Sequence, residues 1–292
     1  MLSRAFIRSF SSVQSGTKHM PNFKNYLKLP TGQIGSYFHD VPLSLNKQDK
    51  TVSMVIEIAK QTHGKFEISK EIEGNPIVQD TKKGKLRFIK NVFPFVGYPV
   101  NYGAIPQTWE DPTFVALEQL KGDNDPLDVV EIGDVKSHLG QVKQVKVLGC
   151  LGLVDDGELD WKIVAVDVND KRASELNDIV DVQQKMPGLL DSLREWFKDY
   201  KIPDGKPVNE FTFGGEYKDA DYAVKVIQEC HERWGKLIKG EFKELEKAPV
   251  VKNVTVDSSS DKVSDFNINV EESLKDVEIP SELQTTYYCK KD

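Results

Sequence analysis

Two apolar runs, 142–154 and 159–168, flank Asp155-Asp156-Gly157-Glu158, and this pattern constrains the fold more than any other feature of the chain. Asp-Gly between such runs predicts a tight hairpin joining two long antiparallel strands. In the second arm Asp160 and Lys162 fall on one face, Trp161 and Ile163 on the other. Shorter alternating runs come earlier. Met54, Ile56 and Ile58 share a face opposite Glu57, and Phe66 and Ile68 share one opposite Lys65 and Glu67. Lys85-Leu86-Arg87-Phe88 repeats the pattern after a turn over 80–84. Many short strands with few helices between them predict a mainly β domain with flanking helices (α+β), built on a small closed barrel. After Asp170 the period becomes helical. Helices are expected over 174–185, from Pro187-Gly188 through Leu189, Leu190, Leu193, Trp196, Phe197 and Tyr200, and over 219–237. Their aromatic residues read as core.

A chain of 292 residues can bury one substantial core. No stretch approaches the roughly 20 apolar residues of a membrane-spanning helix, so membrane insertion is not expected. Cys150, Cys230 and Cys289 are far apart and lack CxxC spacing, which argues against a zinc ribbon or a disulfide framework; the first two read as small buried hydrophobes. The net charge of −7 is uneven: residues 1–39 carry five basic side chains and no acid, leaving −12 on the rest. An acidic body is a poor partner for nucleic acid. The basic start is rich in Ser and Arg, with Leu2, Phe6 and Phe10 at helical spacing, which is the composition of a mitochondrial transit peptide. Arg8-Ser9-Phe10-Ser11 resembles a matrix-processing site. The organisation expected is a transit peptide and flexible N-terminus over 1–30, one domain over 31–248 with its barrel core at about 52–240, and a polar, acidic, loosely ordered tail over 249–292.

The chemistry concentrates in Gly122-Asp123-Asn124-Asp125-Pro126-Leu127-Asp128. Carboxylates this close repel unless a cation joins them, and oxygen ligands are what Mg²⁺ and Mn²⁺ prefer. An EF-hand fails on spacing, since Asp128 and Asp134 stand where Gly and Glu are required. Glu57, Glu67, Asp155 and Asp160 stand on strand faces or turns able to converge on one barrel mouth, with Lys65, Arg87 and Lys162 interleaved. Acids for metals mixed with bases for an anion is what phosphoryl transfer needs; the same pattern also describes a salt-bridged surface. Gly97-Tyr98-Pro99-Val100-Asn101-Tyr102-Gly103 can hold two phenols rigidly, and Tyr200-Lys201 pairs a hydroxyl with an ammonium, a ready phosphate ligand. The histidines (His19, His39, His63, His138, His231) show no ligand spacing and read as surface or capping residues. There is no P-loop and no GxSxG.

These residues resemble the soluble family I inorganic pyrophosphatases, most closely eukaryotic, fungal-like mitochondrial members. The Asp-x-Asp-Pro-hydrophobic-Asp signature is Asp123 to Val129. Further motifs follow in order over about 52–239: Pro76-Ile77-Val78-Gln79-Asp80, Lys83-Gly84-Lys85-Leu86-Arg87-Phe88, Asn101-Tyr102-Gly103, Pro106-Gln107-Thr108-Trp109-Glu110-Asp111-Pro112, Glu195-Trp196-Phe197 and Tyr200-Lys201-Ile202-Pro203-Asp204-Gly205. The resemblance implies an OB-type five-stranded β-barrel, a homodimer, and Mg²⁺-dependent hydrolysis of inorganic pyrophosphate in the mitochondrial matrix, with Mn²⁺ as a substitute. It implies that Asp123, Asp128 and Asp160 hold a first metal, with Asp128 shared with a second. Asp155 and Asp160 would hold a substrate-borne metal and Glu67 a further one, with Glu57 among the metal carboxylates shaping the site. Asp125 would orient or deprotonate water, with Arg87, Lys65 and Tyr98 in the catalytic group. Lys65, Arg87, Tyr102, Lys162, Tyr200 and Lys201 would bind substrate. The loop at Pro94-Phe95-Val96-Gly97 departs from the His-containing version of cytosolic relatives. The rival readings are a non-catalytic metal-binding protein and an OB-type binding module on the same fold.

Overall fold

The structure is a computed structural model describing residues 9–289, and within them no helix is long and apolar enough to cross a membrane. A first sheet gathers β1 (Ser11–Ser15), β2 (Lys24–Lys28), β4 (Phe66–Ile68) and β5 (Ile77–Gln79). A second contains β3 (Thr51–Ile58), β6 (Asn101–Ala104), β7 (Asp128–Glu131), β8 (Val142–Asp155) and β9 (Glu158–Asp167). The helices are α1 (Ile179–Lys185), α2 (Leu189–Asp199) and α3 (Ala220–Ile238). The protein is thus mainly β with a few helices.

The predicted hairpin forms: β8 and β9 pair from Val145↔Asp167 to Asp155↔Glu158, and Gly157 supplies a φ of 91° at the turn. The first part of β8 also pairs with β3, so hydrogen bonding runs β9–β7–β6–β3–β8 and returns to β9. One link, β7 to β9, is parallel and sets Asp128 opposite Lys162. Alternation sends neighbouring side chains into two clusters. Met54, Ile56, Val129 and Ile163 join Ile227 and Cys230 of α3, while Val55, Val130 and Val164 join Leu193, Trp196 and Phe197 of α2. Each such side chain contributes about 1.5–3 kcal/mol on burial. Gly103 is required where β6 crosses β3, because a Cβ there would lie 1.9 Å from the Val55 carbonyl oxygen. The register shifts beside it, between Tyr102 and Gly103.

Both predicted ends require correction. The span expected to be flexible up to residue 30 contains the β1–β2 pair, with Phe23 and Leu27 buried in the core. The transit-peptide residues Leu2, Arg4, Phe6 and Arg8 lie outside the described residues. The tail from 249 is anchored rather than loose. Val250 N donates to the Lys70 carbonyl (2.7 Å), and the Asp40 carboxylate accepts from Val254 N, Thr255 N and Thr255 Oγ1. Phe266 and Leu283 are buried, and Thr286–Tyr287 pairs with Asn91–Val92. Backbone hydrogen bonds can fix a segment that has few large apolar residues. His39 is also no surface residue: it is fully buried, accepting from Trp234 Nε1 (3.0 Å) at Nδ1 and donating from Nε2 to the Val250 carbonyl (2.9 Å). Helix α1 begins at Ile179 rather than 174, because the Asp181 carboxylate accepts from Asn177 N and Asp178 N and fixes the helix start there. Cys150 and Cys230 are buried, as expected.

Candidate active site

One cavity of about 260 Å³ is lined by Glu57, Lys65, Glu67, Arg87, Tyr98, Tyr102, Asp123, Asp125, Asp128, Asp155, Asp160, Lys162, Tyr200 and Lys201, every site residue expected from sequence. Asp156 and Glu158 complete its acids, giving nine carboxylates against four cations. Strand alternation delivers many of them. Phe66 and Ile68 are buried in the core, which turns Lys65 and Glu67 toward the cavity. Lys65 Nζ donates to Glu67 (2.6 Å) and to Asp80 Oδ2 (3.0 Å), and Arg87 Nη1 donates to the same Asp80 oxygen. Asp80, which the sequence reading left without a role, thereby holds the two cations side by side.

Opposite them lies a buried knot. The parallel register of β7 and β9 sets Lys162 against Asp128. Lys162 Nζ donates to Asp128 Oδ2, to both oxygens of Asp160 and to Tyr102 OH (2.9 Å), while Tyr102 OH donates to Asp128. Lys201 donates to both oxygens of Asp155. The Tyr200 ring stacks on Trp196 (4.9 Å, 20°), and Tyr98 packs against Tyr102 and Trp196. Burial raises the phenols of Tyr98, Tyr102 and Tyr200 above their ordinary range, so at neutral pH they are hydrogen-bond donors.

The turn 122–128 brings up the remaining carboxylates. Asp123 Oδ1 accepts from Asp125 N (2.9 Å), and Lys70 Nζ lies 2.7 Å from Asp125 Oδ1. Glu110 is the acid that sequence reasoning missed. Its Oε1 accepts from Trp161 N (3.1 Å), whereas its buried Oε2 has no hydrogen-bond partner among the described residues. Carboxylate oxygens of Glu110, Asp123 and Asp160 lie within 4.8 Å of one another. A buried carboxylate with one oxygen unsatisfied, set beside two further carboxylates, is a donor set that fits a hard divalent cation. The signal available in the sequence was the acid pair inside Trp109-Glu110-Asp111-Pro112, a motif that gives no hint of which way Glu110 faces.

Crowding shows in the proton affinities. Asp160 is pushed up to about 7 by burial and by Asp128, against the pull of Lys162. Asp123 rises well above the usual range through burial and through Asp125 and Asp160; Glu110 rises through burial and Asp123, and Glu57 through burial and Asp128. Burial would lower the Lys162 ammonium, but Asp128 and Asp160 outweigh it and hold it well above its ordinary value. Acids raised in the folded state contribute stability that is present at low pH and lost as pH rises toward the folded value. Buried His39, held down to about 4, pulls the other way as pH falls, so a variant isolates the acid. Freed of divalent ions, Asp160→Asn should compare more favourably with the parent in urea midpoint at pH 7.5 than at pH 5, and the same difference at both would contradict the crowding.

Comparisons with known proteins agree with one another. A family model described as inorganic pyrophosphatase matches residues 54–235. The mitochondrial inorganic pyrophosphatase of Saccharomyces cerevisiae is 48% identical, the match covering 96% of this chain and 90% of the relative. The likeness therefore runs well beyond 52–239, into both ends. The solved inorganic pyrophosphatase of Schistosoma japonicum superposes with a TM-score of 0.91 at 42% identity, covering 96% of this chain and 100% of that one. A truncated vacuolar soluble pyrophosphatase of Trypanosoma cruzi, solved in complex with PPi, matches at a TM-score of 0.73 and 39% identity over 81% of this chain and 94% of that one.

Proposed function

From the premise that the chain belongs to the inorganic pyrophosphatase family and is an inorganic diphosphatase, we propose that it hydrolyses pyrophosphate to two orthophosphates in a Mg²⁺-dependent reaction in mitochondria. The observation that carries this reading is the cavity itself, nine acids and four cations on one surface, with the buried Glu110 carboxylate beside Asp123 and Asp160. Asp123, Asp128 and Asp160 would hold a first ion, Asp128 would reach a second, Asp155 and Asp160 an ion arriving with substrate, and Glu67 a further one, with Glu57 shaping the set. Magnesium bound there supplies charge neutralisation for pyrophosphate and lowers the pKa of water at the site.

The chain's own groups do the rest. Asp80 pre-aligns Lys65 and Arg87, whose donors then meet phosphate oxygens at little cost in ordering. Tyr102, Tyr200, Lys162 and Lys201 face the same volume, and Tyr98 braces the Tyr102 ring. Asp125 accepts the proton of the attacking water as its oxygen bonds to one phosphorus; the bridging P–O bond breaks and orthophosphate leaves. Donors fixed before reaction stabilise charge most where it develops in the transition state.

Phosphate release separates this reading from a non-catalytic metal-binding protein. Release from pyrophosphate in Mg²⁺ that stops on chelation is the expected result; no release in Mg²⁺ would leave the binding protein as the better reading. The acidic lining disfavours an OB-type nucleic-acid module. We read the ring of five paired strands as the OB-type barrel, and the family likeness supports a homodimer. The matrix location rests on the basic, Ser-rich start and the mitochondrial name of the yeast relative. Processing near Arg8–Ser11 would spare nearly all of the β1–β2 pair, whereas cleavage at 30 would remove it. A reporter carrying residues 1–30 that stays in the cytosol would contradict the address.

A further inference from the structure

We propose that Lys70 is a positioning residue that holds the Asp125 carboxylate in its working orientation, with the segment 247–250 setting the spacing between the two. This rests on the reading of Asp125 as the proton acceptor. Lys70 follows β4 by two residues and is not among the residues lining the cavity, so it reaches Asp125 from behind, its Nζ 2.7 Å from Oδ1. Asp125 itself lines the cavity, so its carboxylate stands between Lys70 and the volume where substrate would sit.

Both partners of this ion pair are tied to one short stretch of chain. The Lys70 carbonyl accepts from Val250 N (2.7 Å). On the other side Asn124, whose backbone takes a φ of 70°, donates from Nδ2 to the Lys247 carbonyl (2.9 Å) and accepts from Trp109 Nε1 (3.0 Å) at Oδ1. The segment thus braces the loop that presents Asp125 against the loop that presents Lys70. With side chains 26% and 40% exposed, the pair is worth little to stability, so a large effect on turnover would have to come from orientation. Misplacing a reacting group by about 1 Å costs up to about a hundredfold in rate.

The test is a double-mutant cycle with Lys70→Met, Lys70→Arg and Asp125→Asn, read as kcat and KM in Mg²⁺ and pyrophosphate. Lys70→Met should lower kcat by about ten- to a hundredfold with KM within about twofold and an unchanged thermal midpoint. Lys70→Arg should restore most of the loss. In the Asp125→Asn background Lys70→Met should add almost nothing, since its effect passes through that carboxylate. The proposal is overturned if Lys70→Met turns over within twofold of the parent, or loses the same factor with and without Asp125. Near-normal turnover of Asp125→Asn alone would instead remove the base assignment on which it rests.

Discussion

Asp125→Asn should lower the turnover of pyrophosphate by about 10²–10⁴-fold, the range of a lost general base, with pyrophosphate and Mg²⁺ still bound. The substitution keeps shape and removes only the ability to accept a proton. Asp125 is also separable from the metal cluster: the triad of mutually close oxygens is Glu110, Asp123 and Asp160, and Asp125 is turned instead toward Lys70. Lys65 and Arg87 are aligned by Asp80, not by Asp125, so the phosphate donors should survive. Rapid-quench turnover together with calorimetric titration of Mg²⁺ and pyrophosphate checks both halves. Turnover near that of the parent would refute the role, and a simultaneous loss of Mg²⁺ binding would move Asp125 into the ligand set.

Lys162→Met should be the most damaging change to the metal-free protein. The ammonium is almost fully buried, and it donates to Asp128, Asp160 and Tyr102 at once. Removing one member of a buried ionic set costs about 3–5 kcal/mol, because the remaining charges keep their desolvation penalty. The low end applies here, since Asp160 takes up a proton near pH 7 and so sheds part of the strain. A cation bound between Asp128 and Asp160 would replace the missing charge, so Mg²⁺ should recover much of the loss by mass action. Urea unfolding of parent and variant, each with and without Mg²⁺, measures this. An equal destabilisation under both conditions would mean that the two carboxylates are not a metal site.

How far the fold could be read from sequence depended on the range of the interaction. The β8–β9 hairpin was legible because Asp156-Gly157 announces its turn, and Lys65 and Glu67 because alternation fixes their face. The face-to-face placement of Asp128 and Lys162 was not, since parallel neighbours distant in sequence leave no local trace. Lys70 was missed because it falls beyond the end of β4, where alternation stops applying. Glu110 was missed because its importance lies in an oxygen left without a hydrogen-bond partner among the described residues, a property of the packed interior alone. The tail was misread because Asp40 holds it through backbone amides of Val254 and Thr255, which composition does not register. The start of α1 slipped for a similar reason, the capping role of Asp181 being weaker in the sequence than the amphipathic pattern before it.

The most direct measurement is a crystal structure grown with magnesium, pyrophosphate and fluoride to arrest turnover. The account predicts cations contacting carboxylate oxygens of Asp123, Asp128 and Asp160, with diphosphate against Lys65, Arg87, Tyr200 and Lys201. Diphosphate seated among the carboxylates without any cation, or a cavity holding neither, would contradict it.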